Sequence, residues 1–257
     1  MNNKWILVAL LASPTAFAES LIHWSDFSVT ALYGDSFEVD PAEQTTITLE
    51  TAGGWKYGDW FAFQDFVYFN DAPSDSNHAN YGEYGTRFSA SKIFDSKVGF
   101  GPLTDLSLAL QYEQGNAAAS TILYGIGSDW AVPGFSYLNV NVYYRSELSN
   151  PSSFDKRGHS DGWQLAPSWR IDFGDTGIVF DGYIDWVFSP SEDAYEPMLH
   201  INPQLKYDLG AVINGKSGKF YVGVEYDYWK NKYGIPNGIP GLEVDQSVFS
   251  LLIKYHL

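Results

Sequence analysis

Apolar and polar side chains alternate at every second residue through most of this chain, in short stretches broken by turn residues. In Leu138–Arg145, Leu138, Val140, Val142 and Tyr144 fall on one face, and Asn139, Asn141, Tyr143 and Arg145 on the other. In Phe220–Trp229, Phe220, Val222, Val224, Tyr226 and Tyr228 oppose Gly223, Glu225, Asp227 and Trp229. A period of two is the signature of β-strands with one face turned to an apolar medium. Twelve such stretches are expected: Phe27–Tyr33, Thr45–Thr51, Asp59–Phe69, Gly82–Ala90, Leu103–Glu113, Thr121–Gly127, Phe135–Arg145, Gly162–Phe173, Gly177–Phe188, Pro197–Tyr207, Phe220–Trp229 and Ser247–Leu257.

A soluble sandwich alternates too, so the connections must decide the surroundings. They switch between short ones, such as Gly174–Gly177, and long polar ones, such as Ser146–Asp161 and Lys230–Gln246. Short turns at one end and long loops at the other are the rhythm of outer-membrane barrels, which carry an even number of strands. Ser91–Pro102 breaks that rhythm, being longer than a turn of the short kind. The last stretch, with Phe249, Leu251, Ile253, Tyr255 and Leu257 on one face, is the apolar final strand by which such barrels present themselves to their assembly machinery. Closure is obligatory in hydrocarbon, where an open sheet edge would leave amides unpaired. The expected fold is therefore all-β, a 12-stranded antiparallel transmembrane barrel over residues 19–257.

Residues 1–18 read as a secretory signal peptide. Lys4 precedes the apolar run Trp5–Ala12, and Ala16-Phe17-Ala18 supplies the cleavage site. The run is far below the roughly 20 residues a membrane-crossing helix needs. The bacterial outer membrane is the expected location.

Composition narrows the field further. Fifteen basic residues stand against 31 acidic ones, a net charge of −16, which speaks against a nucleic-acid surface. No cysteine is present, so disulfides and thiolate metal sites are excluded. Nine Trp, 18 Tyr and 17 Phe suit the aromatic girdles of a membrane barrel; Trp55, Trp60, Trp130, Trp163, Trp169 and Trp186 fall near strand ends or on apolar faces. No Gly-x-Ser-x-Gly occurs and the five histidines show no metal spacing, so an outer-membrane hydrolase is disfavoured and no enzyme is expected. A surface receptor or adhesin barrel is the other alternative, with Asn70–Tyr81 as its candidate loop. Asp35, Glu38, Asp40 and Glu43 form an acidic loop patch that either attracts cations or lies against lipopolysaccharide through divalent ions.

Twelve strands enclose a passage narrower than that of a 16-strand porin. The residues opposite the apolar faces are Glu50, Glu83, Arg87, Asn141, Tyr143, Arg145, Arg170, Asp181, Asp185, Glu225, Asp227, Trp229 and Lys254. For each charge taken alone the alternative role is a structural ion pair across the lumen; together they give a passage of donors, acceptors and rings. A nucleoside would stack its base on Tyr or Trp and donate its ribose hydroxyls to carboxylates.

Several stretches fall in the order found in one known family. They are Thr46–Glu50, Trp55–Phe61, Asn70–Pro73, Glu83 with Arg87–Ser89, Phe100–Leu103, Asp161–Trp163 and Tyr228–Lys230. On these the chain resembles the nucleoside-specific outer-membrane channels of the Tsx type. The resemblance implies a monomeric barrel that lets nucleosides diffuse down their gradient, with neither energy coupling nor cofactor. Family lumen positions carry over to Glu50, Glu83 and Arg87, where the local motifs align. Asp181, Asp185 and Glu225 follow the strand pattern alone. The expected binding set is Glu50, Glu83, Arg87, Tyr143, Arg145, Asp185, Glu225, Asp227, Trp229 and Lys254. Nucleosides, outer-membrane lipids with lipopolysaccharide, and the barrel-assembly machinery are the expected partners.

Overall fold

Every alternating stretch becomes a strand in the computed structural model, which describes residues 21–257 apart from 75, 117–119, 149–159 and 194. The segment read as a signal peptide lies outside the described residues, as does most of the Ser146–Asp161 connection. The strands are β1 (Ile22–Gly34), β2 (Gln44–Trp55), β3 (Gly58–Phe69), β4 (His78–Ser89), β5 (Leu103–Gly115), β6 (Thr121–Trp130), β7 (Tyr137–Glu147), β8 (Gly162–Asp172), β9 (Ile178–Pro190), β10 (Met198–Asp208), β11 (Phe220–Lys230) and β12 (Gln246–His256). Their lengths run from 10 to 13 residues, enough for a tilted strand to cross hydrocarbon. All neighbours pair antiparallel in sequence order, and β1 closes on β12 from Ser28↔His256 to Gly34↔Ser250. No edge is left over.

The alternation sorts side chains between two media. On β12, Phe249, Leu251, Ile253 and Tyr255 are exposed on the outside, whereas Val248, Ser250, Leu252 and Lys254 are buried on the inside. The outward set continues round the wall as Ile122, Tyr124 and Ile126 on β6 and as Leu205 and Tyr207 on β10. A belt of this kind is unstable in water and stable in lipid. The β8–β9 ladder lapses at Ala166–Pro167, where the proline has no N–H to offer.

Both described ends of the chain and the connections 56–57, 90–102, 131–136, 173–177 and 209–219 lie at one end of the barrel. Connections 35–43 and 231–245, and the described parts of 70–77, 116–120, 148–161 and 191–197, lie at the other. The candidate receptor loop Asn70–Tyr81 is shorter than the sequence suggested, because β4 already begins at His78. The long connection after β4 also finds its reason. It opens with a one-turn helix, α1 (Ala90–Ile93), whose N-terminus is capped by Ser89 Oγ accepting from Lys92 N at 3.1 Å. Asp105 on β5 accepts from Ser91 N at 3.0 Å and from the Ser89 hydroxyl. Lys92 Nζ donates to the carbonyls of Gly58 (2.6 Å) and Trp55 (3.3 Å), clamping α1 beneath the neighbouring β2–β3 turn.

Candidate functional site

Directly opposed residues on antiparallel strands share a face, so the register alone maps the inner wall. One row runs Ser28↔Glu50↔Phe63↔Glu83↔Glu113 from β1 to β5. Another runs Tyr137↔Arg170↔Asp181↔Gln204↔Glu225 from β7 to β11. All ten residues expected to bind solute occupy inner positions of this kind.

Most lumen cations are committed to the wall. Arg87 grips both carboxylate oxygens of Asp59 through Nε (2.9 Å) and Nη2 (2.7 Å), and reaches Asp129 through Nη1 at 2.7 Å. Lys254 Nζ meets Glu50 at 2.7 Å, and Lys206 Nζ meets Asp181 at 2.7 Å. Arg145 and Glu113 are both buried and pair at 2.9 Å. Burying two charges costs several kcal/mol per ion, which only further hydrogen bonds offset. Here they are present: Arg145 also donates to Gln164 at 2.5 Å, and Gln111 donates to Glu113 at 3.1 Å.

Four carboxylates are treated differently. Asp65, Glu83, Asp185 and Glu225 meet no cation among the described residues and accept only from neutral donors. Thr48 donates to Asp65 at 2.6 Å, and Gln204 to Glu225 at 2.7 Å. Tyr81 and Gln111 donate to Glu83, each at 2.9 Å, and Gln164 donates to Asp185 at 2.7 Å. A neutral donor leaves spare carboxyl lone pairs available to whatever passes.

Aromatic rings stand beside these acids on two facing walls. On β3 and β4, Phe61, Phe63 and Tyr81 form a ladder with centroid spacings of 6.1 and 6.0 Å. Phe61 is 45% exposed although it points inward, so its face is open to the passage. Across the ring, on β10 and β11, the His200 imidazole lies flat on the Trp229 indole at 3.8 Å and 11° between planes. Tyr183 meets His200 edge-on at 5.3 Å. Asp227 fixes the imidazole through Nε2 at 2.8 Å.

The ten expected residues therefore divide. Glu83, Asp185, Glu225, Asp227 and Trp229 belong to the acid-and-ring surface. Tyr143 packs into the wall with Ala109 and Leu123, Arg145 is locked to Glu113, and Arg87, Glu50 and Lys254 are held in ion pairs. Asp65, Phe61, Phe63, Tyr81, Tyr183 and His200 share this surface and were not among the expected residues. Alternation could have placed His200 inward, but its stacking partner lies on another strand. No group of three or more His, Asp or Glu suited to a metal ion occurs among the described residues.

Above this surface, three loops cap the β9–β1 side. Tyr195 of the 191–197 connection packs with Val187 and Met198 against Trp229. Burial pushes the Tyr195 hydroxyl up to about 12, so it stays neutral and contacts Met198 Sδ at 3.5 Å.

The family described as "Nucleoside-specific channel-forming protein, Tsx" matches residues 20–257. The outer membrane protein OmpK of Vibrio parahaemolyticus serotype O3:K6 is 26% identical over 266 residues, covering 91% of this chain and 92% of OmpK. Among solved structures, the KdgM porin in complex with disordered oligogalacturonate has a TM-score of 0.47 at 12% identity, over 89% of this chain and 98% of that one. The Acinetobacter baumannii outer membrane protein Omp33 has a TM-score of 0.40 at 11% identity, over 93% of this chain and 100% of that one.

Proposed function

The chain belongs to the family of nucleoside-specific, channel-forming Tsx proteins, and on that premise we propose that this outer-membrane channel carries nucleosides by facilitated, saturable diffusion. One observation carries the reading: inner-wall rings, with Phe61 open to the lumen, stand beside four carboxyl groups that pair with no described cation. A base has two π faces, and a ribose has hydroxyls that donate to carboxylates. Stacking contributes roughly 1–3 kcal/mol per base, enough to hold a solute briefly and weak enough to release it. A phosphorylated nucleoside meets the same carboxylates as a repelled anion. Transfer needs no cofactor, since it follows the concentration gradient.

The passage has no catalytic part in this reading. His200 and Asp227 resemble two members of a hydrolytic triad, but the imidazole is stacked on Trp229 and no described serine is bonded to it.

The experiment is nucleoside block of ion current through the refolded barrel in a planar bilayer. Glu83→Gln is expected to weaken block while conductance and folding persist; unchanged block would place binding elsewhere. Glu50→Gln is expected to weaken it less, because Glu50 already holds Lys254.

A further inference from the structure

We propose that Lys232 fixes the shape of the outer mouth and so sets the largest solute the channel admits. The proposal rests on the protein being a channel, whichever solute it prefers. Lys232 follows β11 in the connection 231–245, yet it is only 3% exposed. Its ammonium group donates to the Glu38 carbonyl at 2.9 Å and to Gln246 Oε1 at 2.8 Å, and pairs with Asp40 at 3.0 Å. The rings of Phe37 and Tyr233 lie 5.9 and 5.2 Å from it. Glu38, Asp40 and Phe37 all come from the connection 35–43 at the other side of β12. One cation therefore ties two outer loops together.

The tie points into the passage. Gln246 is the first inward residue of β12; it accepts from Lys232 and from Glu38 N at 2.9 Å, and donates to Asp227 at 2.9 Å. Tyr233 adds a hydrogen bond to Asp40 at 2.7 Å and meets Trp229 edge-on at 5.5 Å. The third loop joins through Asn231, which donates to the Pro197 carbonyl at 2.9 Å, and through Gly234. Gly234 has φ of 69°, and a Cβ there would run into the Tyr195 ring.

The two tied loops also hold strained backbone. Among the described non-glycine residues, positive φ occurs at Ser36, Val39, Asn231, Tyr233 and Asp95, and four of these five lie in the connections that Lys232 joins. Val39, β-branched at φ 72°, is the least comfortable of them. Such conformations persist only where the surroundings over-determine them. Removing the cation takes away the group that unites Glu38, Asp40 and Gln246 and leaves the Glu38 N–Gln246 and Tyr233–Asp40 hydrogen bonds to hold the loops, so they relax outward more readily.

The test is liposome swelling with neutral sugars of increasing size, using the full-length barrel. Lys232→Met keeps the chain length and removes the charge. The rate for raffinose relative to arabinose is expected to rise about threefold or more, as a wider constriction favours the larger solute. Should Lys232→Met fail to fold, as judged by heat-modifiable migration, Asp40→Ala decides, with a smaller rise in the same ratio expected. An unchanged ratio in the variant that decides overturns the proposal, even if both absolute rates shift together, because a merely structural role would lower the amount of folded channel without altering size preference.

Discussion

The His200 imidazole and the Trp229 indole stack face to face inside the barrel, 3.8 Å apart, with Asp227 holding the imidazole in place. Tyr183 and Tyr233 meet the pair edge-on, so both rings are held in fixed orientations and little rotamer freedom is lost when a base settles against what they leave open. Trp229→Ala is expected to weaken nucleoside block of ion current about tenfold or more, at roughly 1–3 kcal/mol per stacked base. Trp229→Phe should restore most of it. Titration of current against nucleoside in both variants checks this.

The four carboxylates without a described cation partner predict selectivity for cations. A reversal potential measured across a salt gradient should carry the sign of a cation-preferring pore. Replacing Glu83, Asp185 and Glu225 together by Gln, Asn and Gln should move that potential toward zero. Replacing Asp59, already bound to Arg87, should move it little, because Asp129 still holds Arg87.

Arg145 and Glu113 predict a stability effect rather than a transport effect. Arg145→Met strands a buried carboxylate, and breaking a buried pair from one side costs about 3–5 kcal/mol. Adding Glu113→Gln should recover much of that loss, since the charge left behind is gone. Urea unfolding followed by heat-modifiable migration, across both single variants and the double variant, measures the non-additivity.

Lys92 predicts a local effect. Lys92→Met removes the clamp between α1 and the β2–β3 turn but touches no lumen residue. Limited proteolysis should nick residues 90–102 faster, with the melting temperature of the barrel little changed.

Architecture was legible in the sequence because a closed barrel in lipid imposes one rule on every strand: apolar outward, polar inward. β7 and β11 obey it cleanly, and both were read with the correct faces. The inner surface was less legible. On β3, Trp60 and Ala62 face out while Phe61 and Phe63 face in, so both faces are apolar and alternation assigns neither. Asp65 and the Phe63–Tyr81 ladder were lost for that reason. Which inward charges are spent on the wall was also hidden, because pairing depends on register between strands: Arg145 finds Glu113 across 32 residues, and Lys232 finds the Glu38 carbonyl across 194. Within the acidic patch Asp35–Glu43, read as a cation lure or as a lipopolysaccharide contact through divalent ions, Asp40 is occupied by Lys232 and Tyr233, and Glu43 by the Tyr33 hydroxyl.

The most direct measurement is single-channel current through the unmodified barrel as adenosine, thymidine and sucrose are added in turn. Lumen rings beside uncompensated carboxylates require that a nucleoside block the current with a saturating dependence on its concentration while sucrose at equal concentration does not. Block that grows linearly without saturating, or that sucrose reproduces, would contradict a nucleoside site in the passage.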